Sequence, residues 1–254
     1  MSEKIRIQRA LAILSFDLRT LRRDGFLATV AGLSALLMIG IAIIGVYRED
    51  LDVEHLQTWI PYLIIMFLVS NVGTYGMLFG LVFVEEVETR VRAALMVVPV
   101  PPVELALLRT ANVFLWLIVQ PVLLSVILAA GWDLVQVSVF DWFLLCLSLA
   151  PLGAVFMIVL STVASNRVEA LAMGKFFSAA TIPPMLLYII ADDAWYRHLF
   201  LVFPTAPAVH AFEALRAESA TAAMTWMIVG AMYALILGAL SMRQYVRKSY
   251  GISA

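Results

Sequence analysis

Cysteine, histidine and charge are all scarce in this sequence. One cysteine, Cys146, stands among 254 residues, which excludes a disulfide framework and any cysteine-based metal site. Three histidines (His55, His198 and His210) are too few and too scattered to suggest a metal centre. HExxH, CxxC and GxxxxGK[ST] do not occur, so a zincin helix, a redox pair and a Walker A loop for ATP are all excluded. Only 14% of the residues are charged, against about 25% in an average soluble domain.

Apolar residues fill that space, at 63% of the chain. A water-soluble core cannot hide so much apolar surface, so the sequence predicts an all-α integral membrane protein. The hydrocarbon layer needs about 20 apolar helical residues. Six stretches meet that need: 26–47, 60–84, 110–130, 142–164, 170–191 and 220–242. Lys175 interrupts the fifth near its start, where it can snorkel toward headgroups.

Six spans put both termini on one side. All but three of the 17 Lys and Arg residues (the exceptions being Arg48, Arg197 and Arg216) fall in the N-terminal segment, the even-numbered connections and the tail. The positive-inside bias therefore predicts a multi-pass inner (plasma) membrane protein with both termini cytoplasmic. Residues 1–25 are too charged for a signal peptide. Ile7, Leu11, Leu14, Leu18 and Leu21 recur at helical spacing on one face, and Arg9, Arg19, Arg22 and Arg23 would reach lipid phosphates, which predicts an interfacial amphipathic helix on membrane lipid.

Two polar regions stand out. Glu85, Glu86, Glu88, Thr89, Arg90 and Arg92 follow the second span, and Pro99, Pro101 and Pro102 stop the segment; Glu88 and Arg92 are spaced i,i+4 for a helical ion pair. A charged helix over 85–98 on the cytoplasmic face results. The second region, 195–218, holds an apolar aromatic stretch broken by Pro204 and Pro207, which predicts two short helices forming an external re-entrant hairpin.

Two enzyme or importer patterns compete. Glu85-Glu86 through Arg90 fits EExxxR, similar to the first motif of CPBP-type intramembrane proteases, but no FxxxH accompanies it. Glu169 through Gly174 distantly resembles the EAA loop of ABC importer permeases, one residue short in its spacing. The whole layout resembles something else: the membrane subunit of an ABC-2 type transporter with the type V (ABCG-like) fold. The local match runs from Glu85-Glu86-Val87-Glu88-Thr89 through Leu95-Met96-Val97-Val98-Pro99-Val100 to Glu104 and Leu107-Leu108-Arg109. Glu88 stands where the family usually has Gly, and Leu108-Arg109 where it commonly has Gly-Lys.

That resemblance implies a single transmembrane domain over 1–254 serving as an export permease, with no catalytic, metal or cofactor site of its own. ATP and Mg would be bound by a separate ATP-binding subunit, present in two copies, beside a second permease subunit (identical or related). No nucleic-acid partner is expected. Glu85, Glu86, Glu88, Thr89, Arg90 and Arg92 would form the coupling helix seated on the ATPase. The second and fifth spans would line the substrate pathway with Asn71, Thr74, Tyr75, Phe176, Phe177, Thr181, Met185 and Tyr188. Gly73, Gly76 and Gly80, the last two in GxxxG spacing, allow close helix approach and are expected at the subunit interface. The cargo expected is a hydrophobic or amphipathic molecule, drug-like or lipid, in the manner of multidrug efflux.

Overall fold

The structure is a computed structural model describing residues 12, 15, 16, 19, 20, 22–47, 54–89, 102–129, 137–190 and 194–250. Among these it is helical throughout. In chain order the helices are α1 (Gly25–Val46), α2 (Glu54–Glu88), α3 (Pro102–Ala129), α4 (Val139–Val163), α5 (Arg167–Ala180), two 3-10 helices (Pro183–Tyr188 and Trp195–Val202), α6 (Ala206–Arg216) and α7 (Ala220–Tyr250). Of the segment expected as an N-terminal amphipathic helix, only a few residues lie within the described set. The part of the expected coupling helix beyond Thr89, including Arg90 and Arg92, lies outside it.

Where the helices begin is written in short polar signals. Asp24 precedes α1, and its Oδ1 accepts from the Phe26 and Leu27 amides at 2.9 and 3.0 Å. Ser138 caps α4 by accepting from the Asp141 amide at 3.1 Å. At α5, Asn166 Oδ1 accepts from the Glu169 amide at 2.9 Å while Glu169 Oε2 accepts from the Ser165 amide at 2.8 Å. The pair resembles a capping box, with Glu169 reaching the amide one residue before the N-cap Asn166. It gives Glu169, which opens the importer-like pattern, a structural employment.

Trp59–Glu86, Val139–Val163, Arg167–Tyr188 and Ala220–Lys248 are long and apolar enough to cross a bilayer by length and composition; Gly25–Ile41 and Leu107–Val119 are shorter apolar stretches. The second and fourth of the six expected spans are the inner ones. Over an apolar 18-residue window, Trp59–Glu86 is 83% buried, whereas the corresponding window of Arg167–Tyr188 is only 28% buried. The core sits between α2 and α4, with α3 and α7 against α4, α5 against α2, and α6 against α7.

Glycine makes the α2–α4 approach possible. A Cβ on Gly76 would lie 2.7 Å from Phe156 Cβ and 2.8 Å from the Gly153 carbonyl oxygen, and one on Gly80 would lie 2.7 Å from the Leu160 side chain. Gly73 faces Ser178 of α5, whose Cα would be 3.1 Å from an added Cβ. The close contact that small residues permit is thus made within the chain. Gly73, Gly76 and Gly80, expected at a subunit interface, are all three buried against the chain's own helices.

The expected fifth span is not one helix. α5 ends at Ala180, and Pro183–Tyr188 continues as a 3-10 turn whose Pro184 lacks an amide to extend the α-ladder. Within 195–218, expected as two short helices of a re-entrant hairpin, Trp195–Val202 is a 3-10 helix and α6 a short α-helix that buries Ala208, Val209, Ala211 and Phe212. Phe212 meets Trp142 of α4 edge-on at 5.8 Å.

Candidate functional site

Polar side chains in a molecule this apolar must find partners. They gather at the two ends of the helix bundle and at one level between them.

At the end where α1 starts, α2 ends and α5 starts, charges knit four helices together. Glu86 and Arg109 form a bidentate pair, with Arg109 Nη1 donating to Glu86 Oε2 at 2.7 Å and Nη2 to Oε1. Their side chains are 7% and 3% exposed, and the Arg109 guanidinium also lies 4.4 Å from the Phe83 ring centroid. Arg167, at the first turn of α5, pairs with Asp24 of the α1 cap, and its Nη1 stands 4.0 Å from Glu85 Oε2. The Arg167 amide donates to Glu88 Oε2 at 3.2 Å. Burial pushes the Asp24 carboxyl up, but the Leu27 amide, the Arg167 guanidinium and the Phe26 amide outweigh it and hold the carboxyl below its ordinary value. Lys248 of α7 donates to the Thr162 carbonyl in the last turn of α4, a cation where the helix dipole favours one.

This geometry revises the expected coupling surface. Glu85, Glu86 and Glu88 form the last turn of α2 rather than a separate helix, and the Thr89 hydroxyl donates back to the Glu85 carbonyl at 2.7 Å. Glu86 is buried in its ion pair and offers no surface to a partner; the same pairing occupies a carboxylate that the EExxxR reading would have activate water. Glu85, Glu88 and Thr89 stay accessible. In the sequence Arg109 belongs to the orientation bias and to the family-like motif, and Arg167 to the orientation bias alone; neither pattern names Glu86 or Asp24 as a partner.

Midway along α2 the residues expected to line a shared pathway face different neighbours. Asn71 is buried and its Oδ1 accepts from Ser34 Oγ of α1 at 2.7 Å. Tyr75 stacks on Trp116 of α3 at 6.3 Å. Thr74 bonds back to the Ser70 carbonyl and lines a groove of about 370 Å³ between α1 and α2, whose walls are Leu33, Leu37, Met66, Phe67 and their neighbours. On the other side, Phe177 stacks on Phe156 of α4 at 5.2 Å and 10°, while Phe176 stands 70% exposed. Thr181 is buried under Thr205, whose hydroxyl donates to its carbonyl at 3.4 Å. Met185 is half-buried, and Tyr188 packs on Tyr62 at 4.3 Å. Among the described residues, Asn71 and Thr74 line the α1–α2 groove, while Tyr75, Phe177, Thr181 and Tyr188 pack against other neighbours.

At the opposite end, Arg197 anchors the short helices. Its Nη1 donates to the Ile190 carbonyl at 3.0 Å and its Nη2 lies 3.3 Å from Glu213 Oε2, which His210 Nδ1 also approaches at 3.3 Å. The His210 ring stacks on Trp226 of α7 at 4.6 Å, and Arg216 lies over Tyr62 at 5.4 Å. Among the described residues, three His, Cys, Asp or Glu side chains nowhere converge as a metal site.

A comparison with curated proteins found no match. The family model described as "Fluoroquinolones export permease protein Rv2686c-like" matches residues 17–242, from the N-terminal segment almost to the end of α7. By that match the chain belongs to the Rv2686c-like family of export permeases, an ABC-2 type.

Proposed function

We propose that this chain is the membrane half of an ABC exporter that moves a fluoroquinolone-like amphipathic molecule out of the cell. The carrying observation is the family match across residues 17–242. In this reading all six apolar stretches cross the inner membrane, both termini are cytoplasmic, two permease chains enclose the pathway, and two ATP-binding subunits bind ATP and Mg below them.

The charged end of the bundle supports a coupling role. Glu85, Glu88 and Thr89, continuing to Arg90 and Arg92, meet the ATPase. The Arg167 contacts to Asp24, Glu85 and Glu88 tie α1, α2 and α5 so that a push on the end of α2 is passed to all three. Motion imposed by ATP binding does work only through such a stiff joint. The break between α5 and the Pro183–Tyr188 turn gives the moved helices a place to bend.

The test is transport by inside-out vesicles carrying the chain and its ATP-binding subunit. ATP-driven accumulation of a fluorescent fluoroquinolone is expected, and it should vanish when the Walker A lysine of the partner is replaced. Vesicles that hydrolyse ATP but never accumulate the drug above the level of empty vesicles would overturn the assignment of cargo.

A further inference from the structure

The face of α5 left exposed among the described residues is not uniformly apolar. Val168, Ala172, Lys175, Ala179, Ile182, Leu186 and Ile189 recur at three- to four-residue spacing and are all exposed. This places them on one stripe running from α5 into the Pro183–Tyr188 turn and just past it. Lys175 is the third of these seven. It lies eight residues beyond Arg167, or roughly 12 Å up the helix at the usual rise, and so well inside the apolar segment Arg167–Tyr188.

The buried charged side chains among the described residues are matched: Glu86 by Arg109, and Arg197 by Glu213 and the Ile190 carbonyl. Lys175 makes no hydrogen bond or ion pair with a described residue, and three or four positions to either side lie only Leu171, Ala172, Ser178 and Ala179. Ala172 and Ala179, about one turn below and above, are small and exposed. Beside it the Phe176 ring is 70% exposed, and Phe177 behind is fixed against Phe156. A free ammonium, an open aromatic face and small flanking residues are the complement of a flat aromatic acid.

We propose that Lys175 is the carboxylate-recognition residue of the cargo pathway, with Phe176 stacking on the aromatic part of the same molecule, so that the free stripe of α5 faces cargo and not lipid. This rests on the export reading above and narrows its substrate class to aromatic carboxylates. A lipid-facing lysine would instead turn its ammonium to the headgroups and be indifferent to what is carried.

The experiment compares two probes in inside-out vesicles holding the permease with its ATP-binding subunit: a fluoroquinolone with its carboxylate, and the same ring system decarboxylated. Lys175→Gln is expected to raise the half-saturating concentration of the acid about tenfold, leave that of the decarboxylated probe unchanged, and leave the amount of inserted permease unchanged. Lys175→Arg should restore the acid. Equal effects of Lys175→Gln on both probes, or none on either, would overturn the role of Lys175 while leaving export standing. Wild-type vesicles that pump neither probe would overturn the export reading and this inference with it.

Discussion

At the scale of single residues, the buried pair Glu86–Arg109 is the most exposed to damage by substitution. Removing one partner leaves the other charge without compensation in a low-dielectric setting, a loss of about 3–5 kcal/mol. Arg109→Met or Glu86→Ala should therefore lower the thermal midpoint of the purified protein sharply. Replacing both together by apolar residues should recover most of the loss, because no orphan charge remains. A single variant as stable as the parent would show that the pair is not formed. Asp24 carries a pH prediction. Its folded pKa lies below the ordinary value near about 3.9, so the stabilisation is complete above that value and disappears as the pH falls through the folded one. Acid should loosen the α1–α5 contact, and Asp24→Asn should remove this part of the acid sensitivity, as read from melts on either side of about pH 4.

At the scale of elements, α2 and α4 meet through glycine. Gly76→Ala puts a methyl 2.8 Å from a backbone oxygen and 2.7 Å from Phe156 Cβ, and backbone cannot turn aside as a side-chain tip can. Overpacking of this kind costs about 1–3 kcal/mol. The matched Gly40→Ala, with nothing within 4 Å, should be neutral; equal melting of the two variants would refute the packing argument. The GxxxG spacing was legible in the sequence, but not the surface it serves. A helix apolar on every side carries no moment to say which face turns inward, so the same glycines suited either a neighbouring copy or α4. The break in the expected fifth span was half legible: the Pro183–Pro184 pair marks it, while the 3-10 continuation to Tyr188 depends on how that turn settles between α6 and α2. At the joint between α1, α2 and α5, Arg167→Ala is expected to leave ATP hydrolysis by the complex running while drug accumulation falls severalfold. A parallel fall of both would mean assembly, and not coupling, had failed.

At the scale of the molecule, the chain is a permease of an export family, and such a permease implies an ATP-binding subunit beside it. With no Walker A loop in the sequence, the purified chain should hydrolyse no ATP, and hydrolysis should appear only on adding that subunit. Turnover by the pure chain would contradict the division of labour. The pathway residues teach the same lesson from inside the fold. Asn71 turns to Ser34, Tyr75 to Trp116, and Phe177 to Phe156. The chain thus packs Asn71, Tyr75 and Phe177 of its expected pathway against its own helices, and the stripe that holds Lys175 stays exposed.

The sequence by itself determined the class of molecule. Its apolar share, its helix-length runs and its sparse, one-sided charges leave a helical membrane protein, because transfer from water depends on composition and length alone. Its layout carried the family resemblance as well. Only the tertiary structure decided who pairs with whom. Asp24 and Arg167 are separated by 143 positions, and whether they touch depends on the rotation and tilt of three helices. Those angles are set by glycine clearances and interlocking side chains, which the linear pattern of apolar residues does not encode.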